Sequence, residues 1–301
     1  MSDVFVVGSI NQDFVLSVER RPSPGETVTD ARLATHNGGK GANQAAAAAL
    51  LGARVALLGR VGDDGLGGTL VRSLADKGVD TSLVREVPDY STGAAFITVT
   101  PDGENAITVA PGANRRLTPE DVDDASKSIG EAKVLVVQME VPPEAVGRAV
   151  EVAAGSGTRA LVNLAPPFEL PRALLEKLDP LVINEHEAAF LLGESVEGVD
   201  GALDAVPKLL SLGPTSVVIT VGEDGAVFSG GEPAQHLTAP KVKVVDTTGA
   251  GDAFVGALAA KLADDVPLEG AAAYAVQAGA AAVTEEGAQG ALPTPEKLGA
   301  L

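Results

Sequence analysis

The sequence predicts an α/β protein: a doubly wound, mostly parallel sheet with helices on both faces and a small inserted β-sheet lid. Three observations carry that prediction. Short apolar runs alternate with helix-length stretches along the chain, the pattern of parallel strands joined by crossover helices. Polar residues and glycines gather directly after those runs, where ligands bind in parallel α/β sheets. Two stretches, about 12–37 and 90–112, instead carry strand-like alternation of apolar and polar residues, and read as one small sheet over the edge of the large one. With 301 residues and 45% hydrophobic content the chain can bury a full core, as one large α/β domain or two smaller ones; the expectation is a single domain, 1–301, with that lid inserted.

Val4 to Val7 is a buried-type strand, and Gly8-Ser9-Ile10-Asn11-Gln12-Asp13 follows at its C-terminal end, placing Asn11 and Asp13 to touch a ligand. This is not the Gly-x-Gly-x-x-Gly of a dinucleotide fold, which disfavours a dehydrogenase. Alternation from Phe14 to Val18 ends where Pro22, Pro24 and Gly25 break the chain before Glu26-Thr27-Val28. Next, His36-Asn37-Gly38-Gly39-Lys40-Gly41-Ala42-Asn43-Gln44-Ala45 leads into an Ala-rich helix that stops near Gly52. Gly38, Gly39 and Gly41 free the backbone for close approach, Lys40 supplies the positive charge, and Asn43 falls one turn into the helix. A P-loop requires Ser or Thr after its Lys; Gly41 stands there, so that reading fails.

Val55 to Leu58 is the next strand, followed by Gly59-Arg60-Val61-Gly62-Asp63-Asp64-Gly65. Ala94 to Val99 and Ala106 to Val109 flank Pro101-Asp102-Gly103, a hairpin signal. Strands at 134–137, 161–164 and 181–183 end in Gln138-Met139-Glu140, Ala165-Pro166-Pro167 and Asn184-Glu185-His186-Glu187. Ser216 to Val221 turns through Gly222-Glu223-Asp224-Gly225 into Ala226-Val227-Phe228, with Thr220 and Gly222 at the tip. A short apolar strand, Val244-Val245, then meets Asp246-Thr247-Thr248-Gly249-Ala250-Gly251-Asp252, and a helix runs on from Ala253. The final helix, Ala271 to Val283, ends in a Gly-rich loop, Glu286 to Ala291.

Composition narrows the function. The net charge of −19, from 22 basic and 41 acidic residues, repels nucleic acid and acidic membranes, so an anionic substrate must be met by local positive groups or metal ions. Zero Cys excludes disulfides and thiolate zinc sites, and the three His lie far apart. No apolar run is long enough for a membrane span and the N-terminus lacks a signal pattern, so a cytoplasmic protein is expected. Abundant Ala and the 35 Gly point to closely packed helices and tight turns.

The stretch from Asp246 to Asp252 carries the most chemistry. Gly249, Ala250 and Gly251 have almost no side chain, so their N–H groups and the helix dipole suit a phosphate. Asp252 puts a carboxylate in the same place, as a proton acceptor beside an anion cradle would require. Aspartate at a helix start is also a common cap, and on this stretch alone capping is the more general reading.

Taken together, Gly38-Gly39-Lys40-Gly41-Ala42-Asn43-Gln44-Ala45 and Asp246-Thr247-Thr248-Gly249-Ala250-Gly251-Asp252 resemble the ribokinase family of sugar kinases, the PfkB-type carbohydrate kinases. Gly8-Ser9-Ile10-Asn11-x-Asp13 and Asn184-x-x-Glu187 match in the family's order, and the resemblance covers essentially the whole chain. It implies a ribokinase-like fold and ATP-dependent phosphorylation of a sugar, with D-ribose the first choice, at its 5-hydroxyl, and 2-deoxyribose the second. Asp252 is then the general base, ionised at neutral pH if its pKa is near the ordinary ~3.9, and Gly249, Ala250 and Gly251 hold the transferring phosphoryl. Asn11, Asp13, Gly39, Lys40, Asn43 and Glu140 bind the sugar hydroxyls. Asn184, Thr220, Gly222 and Gly225, with Gly251, contact the nucleotide, and Asn184 and Glu187 hold Mg²⁺ largely through waters.

The same resemblance implies a monovalent cation, K⁺, bound through Asp246, Thr248, Ala282, Glu285, Gly287 and Ala291. Two of these positions depart from the family pattern: Ala291 stands where a hydroxyl residue is common, and Glu285 where Arg is common. Val276 stands where Asn or His often lies beside the purine. The lid is expected to close over the sugar and to pair with a second subunit, making a homodimer. From another function class, a sugar- or nucleotide-sensing protein without turnover would keep the fold but has no need of Asp252.

Overall fold

The computed structural model describes residues 2–102 and 104–299. The chain opens with β1 (Val4–Val7), every residue of it buried, and passes through Gly8 to Ile10 into β2 (Asn11–Ser17). β3 (Arg32–Gly38) returns antiparallel to β2 and runs into α1 (Lys40–Leu50). After β4 (Val55–Gly62), α2 (Leu66–Asp76) and β5 (Val79–Val87), the hairpin of β6 (Gly93–Val99) and β7 (Asn105–Ala110) completes the small sheet. The middle of the chain alternates regularly. It holds α3 (Pro119–Asp124), α4 (Ser126–Glu131), β8 (Val134–Gln138), α5 (Pro143–Ser156), β9 (Arg159–Asn163) and α6 (Arg172–Leu175). β10 (Leu181–Asn184), α7 (Glu185–Leu192) and α8 (Gly198–Ser211) follow. The last strands are β11 (Val217–Thr220), β12 (Ala226–Ser229) and β13 (Gln235–Leu237), and the chain finishes with α9 (Ala250–Ala263), α10 (Leu268–Ala282) and α11 (Pro295–Leu298).

Nine strands form one sheet in the order β13-β12-β11-β10-β9-β8-β1-β4-β5, all running the same way except β12, which pairs antiparallel with both β11 and β13. Four form the second, in the order β3-β2-β6-β7, with β2 and β6 parallel at its centre. Each strand side feeds a separate core. Val4 and Val6 point toward α1, α9 and α10, while Phe5 and Val7 point toward α5 and α8, as the period-two geometry of a strand buried on both faces demands.

Helix α9 is apolar or small nearly all round and almost wholly buried. Gly256 on it touches α1 so closely that a Cβ there would sit 2.5 Å from the Ala47 Cβ and 2.7 Å from the Gln44 carbonyl oxygen. Small residues therefore draw α1 and α9 into backbone contact, which sets up the site one turn away at Asp252.

The expected fold class holds, and four local readings change. Val244 and Val245 are not a strand. They are 55% and 51% exposed, and the Val245 N–H donates to the Val283 carbonyl (2.8 Å), tying the segment to the end of α10. Helix α9 starts at Ala250 rather than Ala253, because Gly249 takes φ +79° and turns the chain directly into it. Helix α10 starts at Leu268, just after Pro267. Strands β3, β5 and β13 carried no clear apolar signal: β3 is mostly exposed, β5 is exposed or half-buried at every position after Val79, and β13 has no fully buried residue. Of the hairpin turn, Gly103 lies outside the described residues; the strands that flank it pair as expected. Among the described residues, no helix is long and apolar enough to cross a membrane.

Candidate active site

The site forms where β1 ends, β2 and α1 begin, and α9 starts. Gly41 packs on Gly8 so that a Cβ would meet the Gly8 backbone at 2.6 Å, and a Cβ on Gly39, which holds φ +89°, would meet the Asn11 nitrogen at 2.7 Å. A Cβ on Gly38 would collide with the Asp13 carboxylate. The close approach expected of these glycines is thus chain against chain: they let α1 start beneath the Gly8–Asn11 turn and leave room for Asp13.

That crossing brings the polar residues together. Glu140, after β8, accepts from the Ser9 hydroxyl (2.5 Å) and the Lys40 backbone N–H (3.1 Å) through one carboxylate oxygen. Asn11 and Asp13 lie on the same face of β2, and Asn114 donates to the Asn11 side-chain oxygen (2.7 Å). Burial and the Glu140 and Asp252 carboxylates push the Asp13 carboxyl up to about 7, against the pull of Lys40. For Lys40, burial disfavours the ammonium, but Asp252, Glu140, Glu187 and Asp13 outweigh it and hold its pKa above the ordinary lysine value. Lys40 is the positive centre of four carboxylates.

Asp252 is the third residue of α9, and it does not cap it. Its Oδ2 accepts from Asn43 Nδ2 and its Oδ1 from Gln44 Nε2, both at 2.9 Å, while the helix N-terminus has no side-chain cap. Its pKa is not the ordinary one either: burial pushes it upward, opposed by Lys40, Asn43 and Gln44 and reinforced by Glu140. Of the cradle, the Ala250 N–H is drawn onto the Thr247 carbonyl (3.3 Å), but among the described residues the Gly249, Gly251 and Asp252 N–H groups have no protein acceptor. A side chain added at Gly251 would meet open space. The positive end of a 14-residue helix therefore faces an open volume with unpaired donors beside a buried carboxylate.

Asn184 and Thr220 are register partners at the C-terminal ends of β10 and β11. Asn184 also caps α7 in a reciprocal box: its side chain accepts from the Glu187 N–H (2.9 Å), and Glu187 Oε2 accepts from the Asn184 N–H (2.8 Å). The other Glu187 oxygen has no hydrogen-bond partner among the described residues, and burial raises the Glu187 pKa against the Asn184 bond and Lys40. Gly222 lies open, whereas a Cβ on Gly225 would collide with the Leu237 carbonyl, so Gly225 serves packing there. Beyond it a cavity of about 410 Å³ lies between 237–240 and α10, lined by Leu237, Ala239, Pro240, Ala273, Val276 and Gln277. Gly279, one turn along α10 from Val276, packs near the Ala250 carbonyl at the start of α9, which puts the cavity beside the cradle.

Asp246 joins two loops. Its Oδ1 accepts from the Thr248 N–H (2.8 Å) and hydroxyl (2.7 Å), and its Oδ2 from the Gly287 N–H (2.9 Å). Ala282 and Ala291 are buried and offer only backbone oxygens, while Glu285 turns away to pair with Lys297 at 2.8 Å. The described residues contain no cluster of three or more His, Cys, Asp or Glu placed to hold a metal.

Four polar residues without an expected role prove central: Gln44, Asn114, Gln138 and Asn163, each buried. Gln44 sat next to Asn43 and Gln138 at a strand end, but only the close α1–α9 crossing shows what they touch.

The pfkB family carbohydrate kinase model matches residues 1–295. The chain is 39% identical over 298 residues to a ribokinase of Staphylococcus aureus, spanning 98% of both chains. It is 36% identical over 297 residues to a deoxyribokinase of Salmonella typhi, spanning 98% of this chain and 97% of that one. The structure of Arabidopsis thaliana ribokinase complexed with ribose and ATP superposes with a TM-score of 0.92 at 32% identity, over 99% of this chain and 97% of that one.

Proposed function

The chain belongs to the pfkB family of carbohydrate kinases, and we propose that it transfers the γ-phosphoryl group of ATP to the 5-hydroxyl of D-ribose, giving ribose 5-phosphate and ADP. The observation that carries this reading is Asp252: a buried carboxylate freed from capping, in the first turn of a helix where the Gly251 and Asp252 N–H groups have no acceptor among the described residues. The sugar hydroxyl oxygen attacks the γ-phosphorus, its bond to the β–γ bridging oxygen breaks, and the hydroxyl proton passes to Asp252. Because the transition state is loose, the proton moves late and a weak base suffices. The raised pKa brings Asp252 nearer to the pH at which a base is most useful. The N–H groups of Gly249 and Gly251, with the α9 dipole, stabilise the charge on the transferring phosphoryl.

Asn11, Asp13, Gly39, Lys40, Asn43 and Glu140 are the proposed sugar ligands. Asn43 supports this directly, since its side-chain oxygen is buried with no partner among the described residues and can take a sugar O–H. Relatives named for ribose and for deoxyribose leave 2-deoxyribose as the second substrate. The nucleotide is proposed to lie along Asn184, Thr220, Gly222 and Gly251, with its base in the cavity beside Val276.

Glu187 fits a Mg²⁺ role, because a single carboxylate with one oxygen unpartnered among the described residues suits an ion held mostly by phosphates and water. When bound, Mg²⁺ neutralises phosphate charge in this acidic protein. The loops at Asp246 and 282–291 fit K⁺: the donors are carboxylate and carbonyl oxygens, and the buried Gln289 side-chain oxygen in the same loop lacks a partner among the described residues. Glu285 contributes no side-chain ligand, being paired with Lys297.

The small sheet is proposed as the lid over the sugar and as the dimer surface of this cytoplasmic enzyme. Strand register puts Leu33 and Phe96 on one face and Ile107 and Val109 on the other, all four exposed. A monomeric mass by light scattering at micromolar concentration would remove the dimer. The activity itself is tested by ADP release across a sugar panel with ATP, Mg²⁺ and K⁺. Ribose-dependent turnover is expected; rapid conversion of another sugar with none of ribose would overturn ribose as the substrate, and ribose binding by calorimetry without phosphate product would favour the sensor.

A further inference from the structure

Behind Asp252 lies a run of buried amides that makes no contact expected of a substrate ligand. Gln44 Nε2 donates both to Asp252 Oδ1 (2.9 Å) and to Asn163 Oδ1 (3.0 Å), and Gln44 Oε1 accepts from Gln138 Nε2 (2.6 Å). Asn163 Nδ2 in turn donates to the Val182 carbonyl (3.2 Å) in the central sheet. Gln44 is 1% exposed and Gln138 fully buried. Both amide hydrogens and the oxygen of Gln44 are thus engaged, so its side chain has one orientation. A flipped amide would set its oxygen against two oxygens.

We infer that Gln44 is a positioning residue for phosphoryl transfer: braced by Gln138 and Asn163, it locks the Asp252 carboxylate so that the oxygen presented to the sugar hydroxyl is fixed in direction and kept as an acceptor. This rests on Asp252 being the base. Three features support it. Asp252 lacks the backbone capping bond that usually holds an aspartate at a helix start. Among the described residues its hydrogen-bond donors are the two neutral amides of Asn43 and Gln44, which cannot surrender a proton to it. Gly256 removes the side chain that would hold α1 away, and a Cβ there would strike the Gln44 carbonyl, so the crossing is built around this contact. Asn43 keeps a buried side-chain oxygen without a partner among the described residues, whereas both hydrogens and the oxygen of the Gln44 amide are already engaged.

The test is the pH dependence of kcat in Gln44→Met, which keeps the side-chain length and removes the N–H. The other charged groups acting on Asp252, namely Lys40 from α1, Glu140 after β8 and Asp13 from β2, are unchanged. Losing a donor to a carboxylate raises its pKa, so the acid limb is expected to move up by roughly one pH unit or more. kcat at neutral pH should fall about tenfold or more, with the KM values for sugar and ATP within about twofold, as for an interaction that matters in the transition state. Gln44→Glu, equal in size, is the second variant and decides the matter if Gln44→Met does not fold: a second acid against Asp252 also moves the limb upward. A wild-type acid limb and kcat in a folded variant would overturn the inference. Asp252→Asn, measured alongside, separates the two levels: if it keeps turnover the base assignment fails, and if it is inactive while Gln44→Met is unchanged, only the role of Gln44 fails.

Discussion

Asp246 and Asp252 stand at the two ends of one turn, and the protein treats them in opposite ways. Around Asp246, burial alone would raise the pKa, but the Thr248 hydroxyl, the N–H groups of Gly287 and Thr248, and His36 outweigh it and hold the carboxyl below its ordinary value. Around Asp252, burial dominates, and Lys40 with two amides only partly offsets it. The first is a fixed anion that clips the 246–248 turn to the loop at Gly287. The second is a carboxylate left within reach of a proton. Residue type and motif are shared, so the difference comes from what each oxygen touches: loop N–H and O–H groups at one end, side-chain amides from a crossing helix at the other.

The comparison can be broken most sharply by Asp252→Asn. Its kcat should fall by about 10²–10⁴, the usual contribution of a general base, while Asp246→Asn loses much less turnover. Equal losses measured by initial rates would erase the functional distinction. Gly256→Val attacks the crossing that supplies Asn43 and Gln44 to Asp252 alone. Overpacking there should cost about 1–3 kcal/mol or more in stability, read by thermal unfolding, with turnover falling as α1 is pushed off α9; an unchanged melting temperature would mean that the contact is slack.

Smaller effects distinguish the two kinds of carboxylate by sign. Asp13 resembles Asp252 in being raised, to about 7. Between its unfolded value near ~3.9 and 7 the folded state binds the extra proton, so stability falls as pH rises through that window. Asp13→Asn should therefore gain on the wild type in thermal unfolding as pH goes from about 4 to above 7. Asp246, lowered, contributes stability that is present above the unfolded value and lost as pH falls through the folded one. Asp246→Asn should be the less stable protein at neutral pH, with the gap closing in acid. Melting curves that run the other way would show that the assigned environments are wrong.

Much of this was legible in the residues. Buried strands such as Val4 to Val7 and Val134 to Val137 announce themselves because both faces must be apolar, and the order of polar turns after them maps the ligand edge of the sheet. The resemblance carried by the Lys40 and Asp252 motifs pointed to the same edge. What stayed hidden depends on contacts between distant segments. Nothing local in Gln44, Gln138 or Asn163 distinguishes a brace for Asp252 from ordinary helix and strand polarity; the helix crossing at Gly256 decides it. Likewise Gly39 and Gly41 read as flexible until the Gly8 turn is seen packed on them, and Val244-Val245 reads as a strand although among the described residues no strand pairs with it. Exposed edge strands such as β3 lack the burial that writes a pattern into sequence.

The most direct test of the account is a carboxyl ¹³C NMR titration of the enzyme with labelled aspartate, using Asp252→Asn and Asp246→Asn to assign the two resonances. The account predicts that Asp252 titrates above the ordinary value of about 3.9 and Asp246 below it. Asp252 titrating at or below that value, or Asp246 above it, would contradict the division of labour between a proton acceptor and a fixed anion.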